Sequence, residues 1–149
     1  MKSTIFLILF FLFFFSCDKE CFSPPEPFRL IALHEDGTNV INQSNQDSVK
    51  LFMVMANDNI LINFNMFQYY NVEQDVNIFY IESSELPWRS IEGQKNFLIT
   101  VGNDTLNIFA DVVSKTVKKC TTHPYNLVSC NGTLITDNYD NKVGAFIAE

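Results

Sequence analysis

The stretch "DTLNIFADVV", residues 104–113, decides the fold. Leu106, Ile108, Ala110 and Val112 recur at every second position, with Thr105, Asn107 and Asp111 between them. Successive side chains of a strand point to opposite faces, so this alternation predicts a half-buried β-strand. Downstream, "LVSCNGTLIT" (127–136) sets Asn131-Gly132 between two apolar runs. A two-residue hairpin turn needs positive φ at both central positions, which Asn and Gly tolerate best, so a hairpin is predicted here. "HEDGTNVI" (34–41) carries Asp36-Gly37 in the same role.

Working outward, the body is a series of short runs rich in Val, Ile, Phe and Tyr, divided by Asn, Asp and Gly. This punctuation predicts strands near 29–34, 48–55, 60–67, 76–82, 97–101, 105–113, 127–130, 133–136 and 145–148. "FMVMANDNILINF" (52–64) and "FLITVGNDTLNIF" (97–109) echo each other, two hairpins that each use Asn-Asp as punctuation. Helix is expected only in "NVEQDVN" (71–77) or "SSELPWRSIEGQ" (83–94), the second limited by Pro87. Many short strands in about 120 residues predict an all-β fold, a single antiparallel β-sandwich, immunoglobulin-like or similar. A small β-barrel is the alternative, because strand count does not decide between them. The last strand, "AFIAE", is expected at a sheet edge.

Composition narrows the function. The 149 residues carry 10 Lys and Arg against 17 Asp and Glu, a net charge of −7. Nucleic-acid binding draws its affinity from clustered cations, so this balance argues against it. The one basic cluster, Lys115, Lys118 and Lys119, reads as a solvated strand end or loop.

The N-terminus begins with Lys2 and an unbroken apolar run from Ile5 to Phe15. As a helix the run is about 16 Å long, too short for a hydrocarbon core of about 30 Å. With Ser16 as the small residue at the cut, this is the layout of a secretory signal. "FFSC" (14–17) then resembles the lipobox of bacterial lipoproteins, although the commonest box begins with Leu. The resemblance implies cleavage between Ser16 and Cys17 and acylation of Cys17, whose several acyl chains would hold firmly where one holds marginally. The Phe-rich leader, the relaxed box and the acidic "CDKE" start, together with the body from "PFRLIALHEDGTNVI" onward, resemble small Bacteroidota lipoproteins. That likeness implies a cell-envelope address at the outer membrane, on its periplasmic face or at the cell surface. The expected organisation is a leader over 1–16, a lipidated flexible tether over 17–27 and a β-rich domain over 28–149.

An exported domain meets an oxidising compartment, so its thiols invite disulfides. With Cys17 acylated, Cys120 and Cys130 bracket a compact "TTHPYNLVS", and a Cys120–Cys130 bridge is the expected pairing, leaving Cys21 over. A zinc site of Cys120, His123 and Cys130 is one ligand short of a closed tetrahedron. "DNYDN" (137–141) fails the calcium-loop pattern, with Tyr139 and Lys142 at ligand and glycine positions. No metal or other cofactor is expected.

No nucleophile elbow surrounds any serine, and of two histidines His34 ends a strand pattern. The catalytic alternative, an envelope enzyme acting on glycans, would rest on the loop carboxylates Glu82, Glu85 or Glu92. The favoured expectation is a non-enzymatic binding or interaction module for a protein or glycan. Trp88, Tyr69 and Tyr70 are its candidate stacking residues, since sugar sites combine aromatic rings with planar amides, as in "NFNMFQYYN" (63–71) and "LPWRS" (86–90).

Overall fold

The computed structural model describes residues 21–34, 38–72, 75–135 and the backbone of 144–148. The leader, Ser16, Cys17, the Asp36-Gly37 turn and the 137–141 stretch lie outside the described residues. The strand that anchors the reading, β8 (Asp104–Val112), buries Leu106, Ile108, Ala110 and Val112 and leaves Thr105 and Asn107 to solvent. The predicted alternation is therefore the observed one.

In chain order the elements are β1 (Cys21–Phe22), β2 (Phe28–His34), a short 3-10 turn (Gln46–Ser48), β3 (Lys50–Val54), β4 (Asn59–Leu61), β5 (Asn65–Asn71), β6 (Val76–Ser83), α1 (Glu85–Ile91), β7 (Asn96–Val101), β8, β9 (Lys115–Val117), β10 (Cys120–Thr122), β11 (Tyr125–Cys130), β12 (Thr133–Leu134) and β13 (Gly144–Ala148). They form a six-stranded sheet in the order β12-β11-β8-β7-β3-β4, a four-stranded sheet β13-β2-β6-β5 and a three-stranded ribbon β1-β10-β9. One core joins the two larger sheets, with Phe28, Leu30 and Ile81 from the second packed with Leu51, Phe97, Ile99 and Ile108 from the first. This is the expected all-β, sandwich-like fold. Among the described residues the sheets keep open edges, so the barrel alternative does not hold.

Two strands depart from an all-antiparallel plan. β1 joins β10, and β13 joins β2, in parallel. Both lie at the ends of the described chain, where no hairpin connection dictates direction. β13 is at an edge, as expected.

The Asn131-Gly132 turn is as predicted, with φ of 47° and 83° between the Cys130↔Thr133 pair. The two echo segments are both hairpins, β3–β4 and β7–β8, and they lie side by side through the β3–β7 pairing. Across 35–37 the flanking residues Leu33 and Asn39 form an antiparallel bridge.

The strand expected over 60–67 is instead two. β4 belongs to the six-stranded sheet and β5 to the other, and residues 62–64 carry the chain between them. Its polar backbone is satisfied locally: the Asn63 N–H and side-chain amide donate to Glu85, each at 3.0 Å, and Ser83 Oγ donates to the Asn63 carbonyl at 2.7 Å. Those bonds pair the backbone of the crossing, which buries Ile62 and leaves Asn63 exposed.

Pro87 does not prevent α1. It is the third helical residue, where a backbone N–H would lack a helical partner anyway. The helix lies where β7 has not yet begun alongside the end of β8. There the buried Ser90 Oγ donates to the Ala110 carbonyl at 2.7 Å and accepts the Val112 amide at 2.8 Å, standing in for the missing strand.

The folded body also begins earlier than expected. Cys21–Phe22 is a strand, Pro25 is buried, and the Tyr125 hydroxyl donates to the Glu26 carbonyl at 3.0 Å. Residues 21–27 are thus docked on the body rather than forming a flexible tether. Among the described residues no helix is long and apolar enough to cross a membrane.

Candidate functional site

The predicted Cys120–Cys130 bridge is corrected by the structure. Cys120 bonds to Cys21, with the two Cα atoms 4.4 Å apart. The reason is the ladder: Cys21 lies directly opposite Cys120 in the β1–β10 pair. Cys130 stands on β11 opposite Ile108 with its side chain in the sandwich core, a free thiol that burial pushes up to about 12. The same facts take the zinc idea apart, since one sulfur is oxidised and the other belongs to the core.

His123 is buried beside the disulfide ribbon. Its Nδ1 meets Ser114 Oγ at 3.0 Å, while Nε2 has no hydrogen-bond partner among the described residues. Trp88 and Phe22 close over the ring: centroids are 5.6 Å apart for Trp88–His123, 5.3 Å for Phe22–His123 and 6.1 Å for the stacked Phe22–Trp88 pair. Trp88 is therefore a half-exposed member of a cluster at the ribbon, and its ring partners are not the tyrosines named with it above.

Those tyrosines separate as well. Tyr69 shares the outer face of β5 with Phe67, and both pack on Tyr80 of β6, at centroid distances of 6.3 and 5.5 Å. Tyr70 points to the other face, and its hydroxyl donates to Asp75, a contact that holds the phenol above its ordinary pKa. Phe64, from the same segment, packs on the core.

On Tyr70's side of the strand lies the feature that the sequence did not single out. A cleft of about 540 Å³ opens between the 42–48 loop and the β5–β6 pair. Gln43 and Gln46 form one wall; Met66, Gln68, Asn77 and Phe79 form the other, with Phe67 at the margin. Asparagines fix both walls. Asn39 donates to the Phe79 carbonyl at 2.7 Å and accepts the Ile41 amide at 2.9 Å, which ties the loop's root to β6. Within the loop, the Asn45 side chain donates to the Val40 carbonyl at 2.9 Å and accepts the Asn42 amide at 2.8 Å. Such local side-chain bonds hold irregular backbone in one shape.

Among the described residues, no charged side chain lines the cleft. Among the described residues, no intramolecular hydrogen bond occupies the side-chain amides of Gln43, Gln46, Gln68 and Asn77. Each offers two donors and an acceptor to a ligand. Chemically the cleft suits a neutral molecule that is rich in hydroxyl or amide groups and has an apolar face for Phe79, Phe67 and Met66.

The carboxylates considered for catalysis lie elsewhere and are engaged. Glu82 is a strand residue rather than a loop one, paired with Arg29 at 2.5 Å. Glu85 and Glu92 both bind Arg89, at 2.9 and 3.2 Å. The Asn63 amide donating to Glu85, reinforced by Arg89, lowers that carboxyl below its ordinary value despite some desolvation. Among the described residues, no three His, Cys, Asp or Glu side chains cluster in a way that would hold a metal ion.

Comparison with family models, with curated proteins and with solved structures gave no match.

Proposed function

We propose that this chain is a lipid-anchored lipoprotein of the cell envelope, attached through Cys17, whose β-sandwich is a non-enzymatic binding module for a neutral glycan. The observation that carries the binding half is the cleft beneath Gln43 and Gln46. Pyranose rings combine hydroxyl edges with an apolar C–H face, and this cleft offers unengaged amides beside aromatic and methionine surface. The absence of charge among its described lining residues weighs against an anionic or cationic ligand.

Support for export comes from a residue pair independent of the leader. A Cys21–Cys120 bridge persists in an oxidising compartment and is rare where thiols are kept reduced. The leader's apolar run, Ser16 and the "FFSC" box add the route and the anchor.

A glycan array probed with the disulfide-bonded chain tests the binding reading. Binding to neutral glycans is expected, and Gln68→Ala with Phe67→Ala should weaken it about tenfold or more, the loss of one or two hydrogen bonds and a ring contact. Silence on the array, with a protein partner captured by crosslinking on intact cells, would replace the glycan with a protein ligand.

A further inference from the structure

The distance between the proposed anchor and the disulfide is short. Only Asp18, Lys19 and Glu20 separate Cys17 from Cys21. Those four Cα steps reach at most about 14 Å. A tether running to residue 27 would reach about 30 Å, but residues 21–27 are docked on the body and add no reach.

The ladder shows which part of the body is held there. β1 runs parallel to β10, and the Cys21 N–H donates to the Lys119 carbonyl at 3.1 Å. The chain therefore enters the fold at the Lys118-Lys119 turn of the β9–β10 hairpin. Lys115, Lys118 and Lys119 are all exposed on this hairpin, in a protein whose net charge is −7. Exposed apolar side chains accompany them. Phe22 is 59% exposed and stacks on Trp88, 38% exposed, while Val117 is 68% exposed on the ribbon's other face. Phe22 and Trp88 each cover part of the His123 ring and leave the rest of their apolar surface to solvent.

We propose that this corner, the β9–β10 turn with Phe22 and Trp88, rests in the headgroup layer of an anionic phospholipid membrane. The proposal rests on acylation of Cys17. Tryptophan, an apolar ring with one donor, settles at the membrane–water interface. Lysines beside an anionic leaflet are drawn to it. The three linker residues contribute a net charge of −1, which the three hairpin lysines outweigh. A phospholipid surface is the occupant because the linker keeps this corner within about 14 Å of the acylated residue whatever else the body binds. The "solvated" lysines and the candidate stacking residue Trp88 thereby acquire one shared role.

Trp88 is the only tryptophan in the chain, so its fluorescence reports this corner alone. The acylated full chain would be reconstituted in phosphatidylcholine vesicles containing about one-third phosphatidylglycerol, with bromine placed on the lipids either near the headgroup or at the chain end. Headgroup-side bromine is expected to quench Trp88 about twofold more than chain-end bromine, the depth preference of an interfacial tryptophan. Lys118→Glu with Lys119→Glu should cut that quenching by about half while vesicle flotation is unchanged. Flotation with Trp88 quenched by neither lipid would overturn the contact and leave the anchor standing. Failure to float, with no acyl chain on Cys17, would overturn anchor and contact together.

Discussion

The thiol of Cys130 lies in the core opposite Ile108, where burial pushes its pKa to about 12. Since the thiolate is the reactive form, Cys130 should resist alkylation in the native chain up to about pH 10. In denaturant without reductant Cys130 should be modified while Cys21 and Cys120 are not, which peptide mass spectrometry reads directly. Modification of Cys120 instead would refute the observed pairing. Ser90 is a buried polar side chain with a definite task, and Ser90→Ala leaves the Ala110 carbonyl and Val112 amide unpaired. A loss of about 1–3 kcal/mol is expected in urea denaturation. Glu85 and Asp111 both have lowered carboxyl pKa values, the first mainly through the Asn63 amide and the second mainly through Lys95. A carboxyl lowered by folding stabilises fully above its unfolded pKa near 4, and the benefit fades as pH falls through the folded value. Stability should therefore decline below about pH 4, and Glu85→Gln should make that decline shallower.

At the scale of elements, the Cys21–Cys120 bridge spans 99 residues of sequence. In the chain-entropy model a loop of that size contributes about 4.7 kcal/mol, against about 2.7 for the short loop that Cys120 and Cys130 would close. Reduction should accordingly lower the urea midpoint strongly and free β1, releasing Phe22 from Trp88 with a shift in tryptophan emission. An unchanged midpoint would show that β1 is held without the bridge. How much could be read beforehand follows from the same contrast. β8 and the Asn131-Gly132 turn declare themselves locally, through alternation and through a backbone conformation that few residues tolerate. β1, β9 and β10 do not, because "CF", "KTV" and "CTT" have no apolar face to sort, and a distant disulfide partner defines them. The break between β4 and β5 was hidden for a related reason. Ile62 is buried at the crossing, so the hydrophobic pattern runs on while the chain changes sheets. The cleft was equally unreadable: Gln43 and Gln46 meet Gln68 and Asn77 only through tertiary packing, whereas Trp88, Tyr69 and Tyr70 stand out in sequence and occupy three different surroundings.

For the whole molecule, the docked residues 21–27 change how an anchored body would sit. An N-terminal strand bonded to the β9–β10 hairpin puts one corner of the sandwich next to Cys17, instead of leaving the domain on a long stalk. The amide-lined cleft is built from other elements, the 42–48 loop and β5–β6, so ligand binding and membrane contact use separate parts of the fold. Substitutions in the cleft should then leave Trp88 quenching by membrane lipids unchanged, and substitutions at Lys118 and Lys119 should leave glycan binding unchanged. The membrane contact depends on attachment at one residue. Metabolic labelling of cells with an alkynyl palmitate analogue, comparing the wild-type chain with Cys17→Ala, tests that attachment most directly. Label on the wild type and none on Cys17→Ala is the predicted result; an unlabelled wild type, or label that survives the substitution, would contradict it.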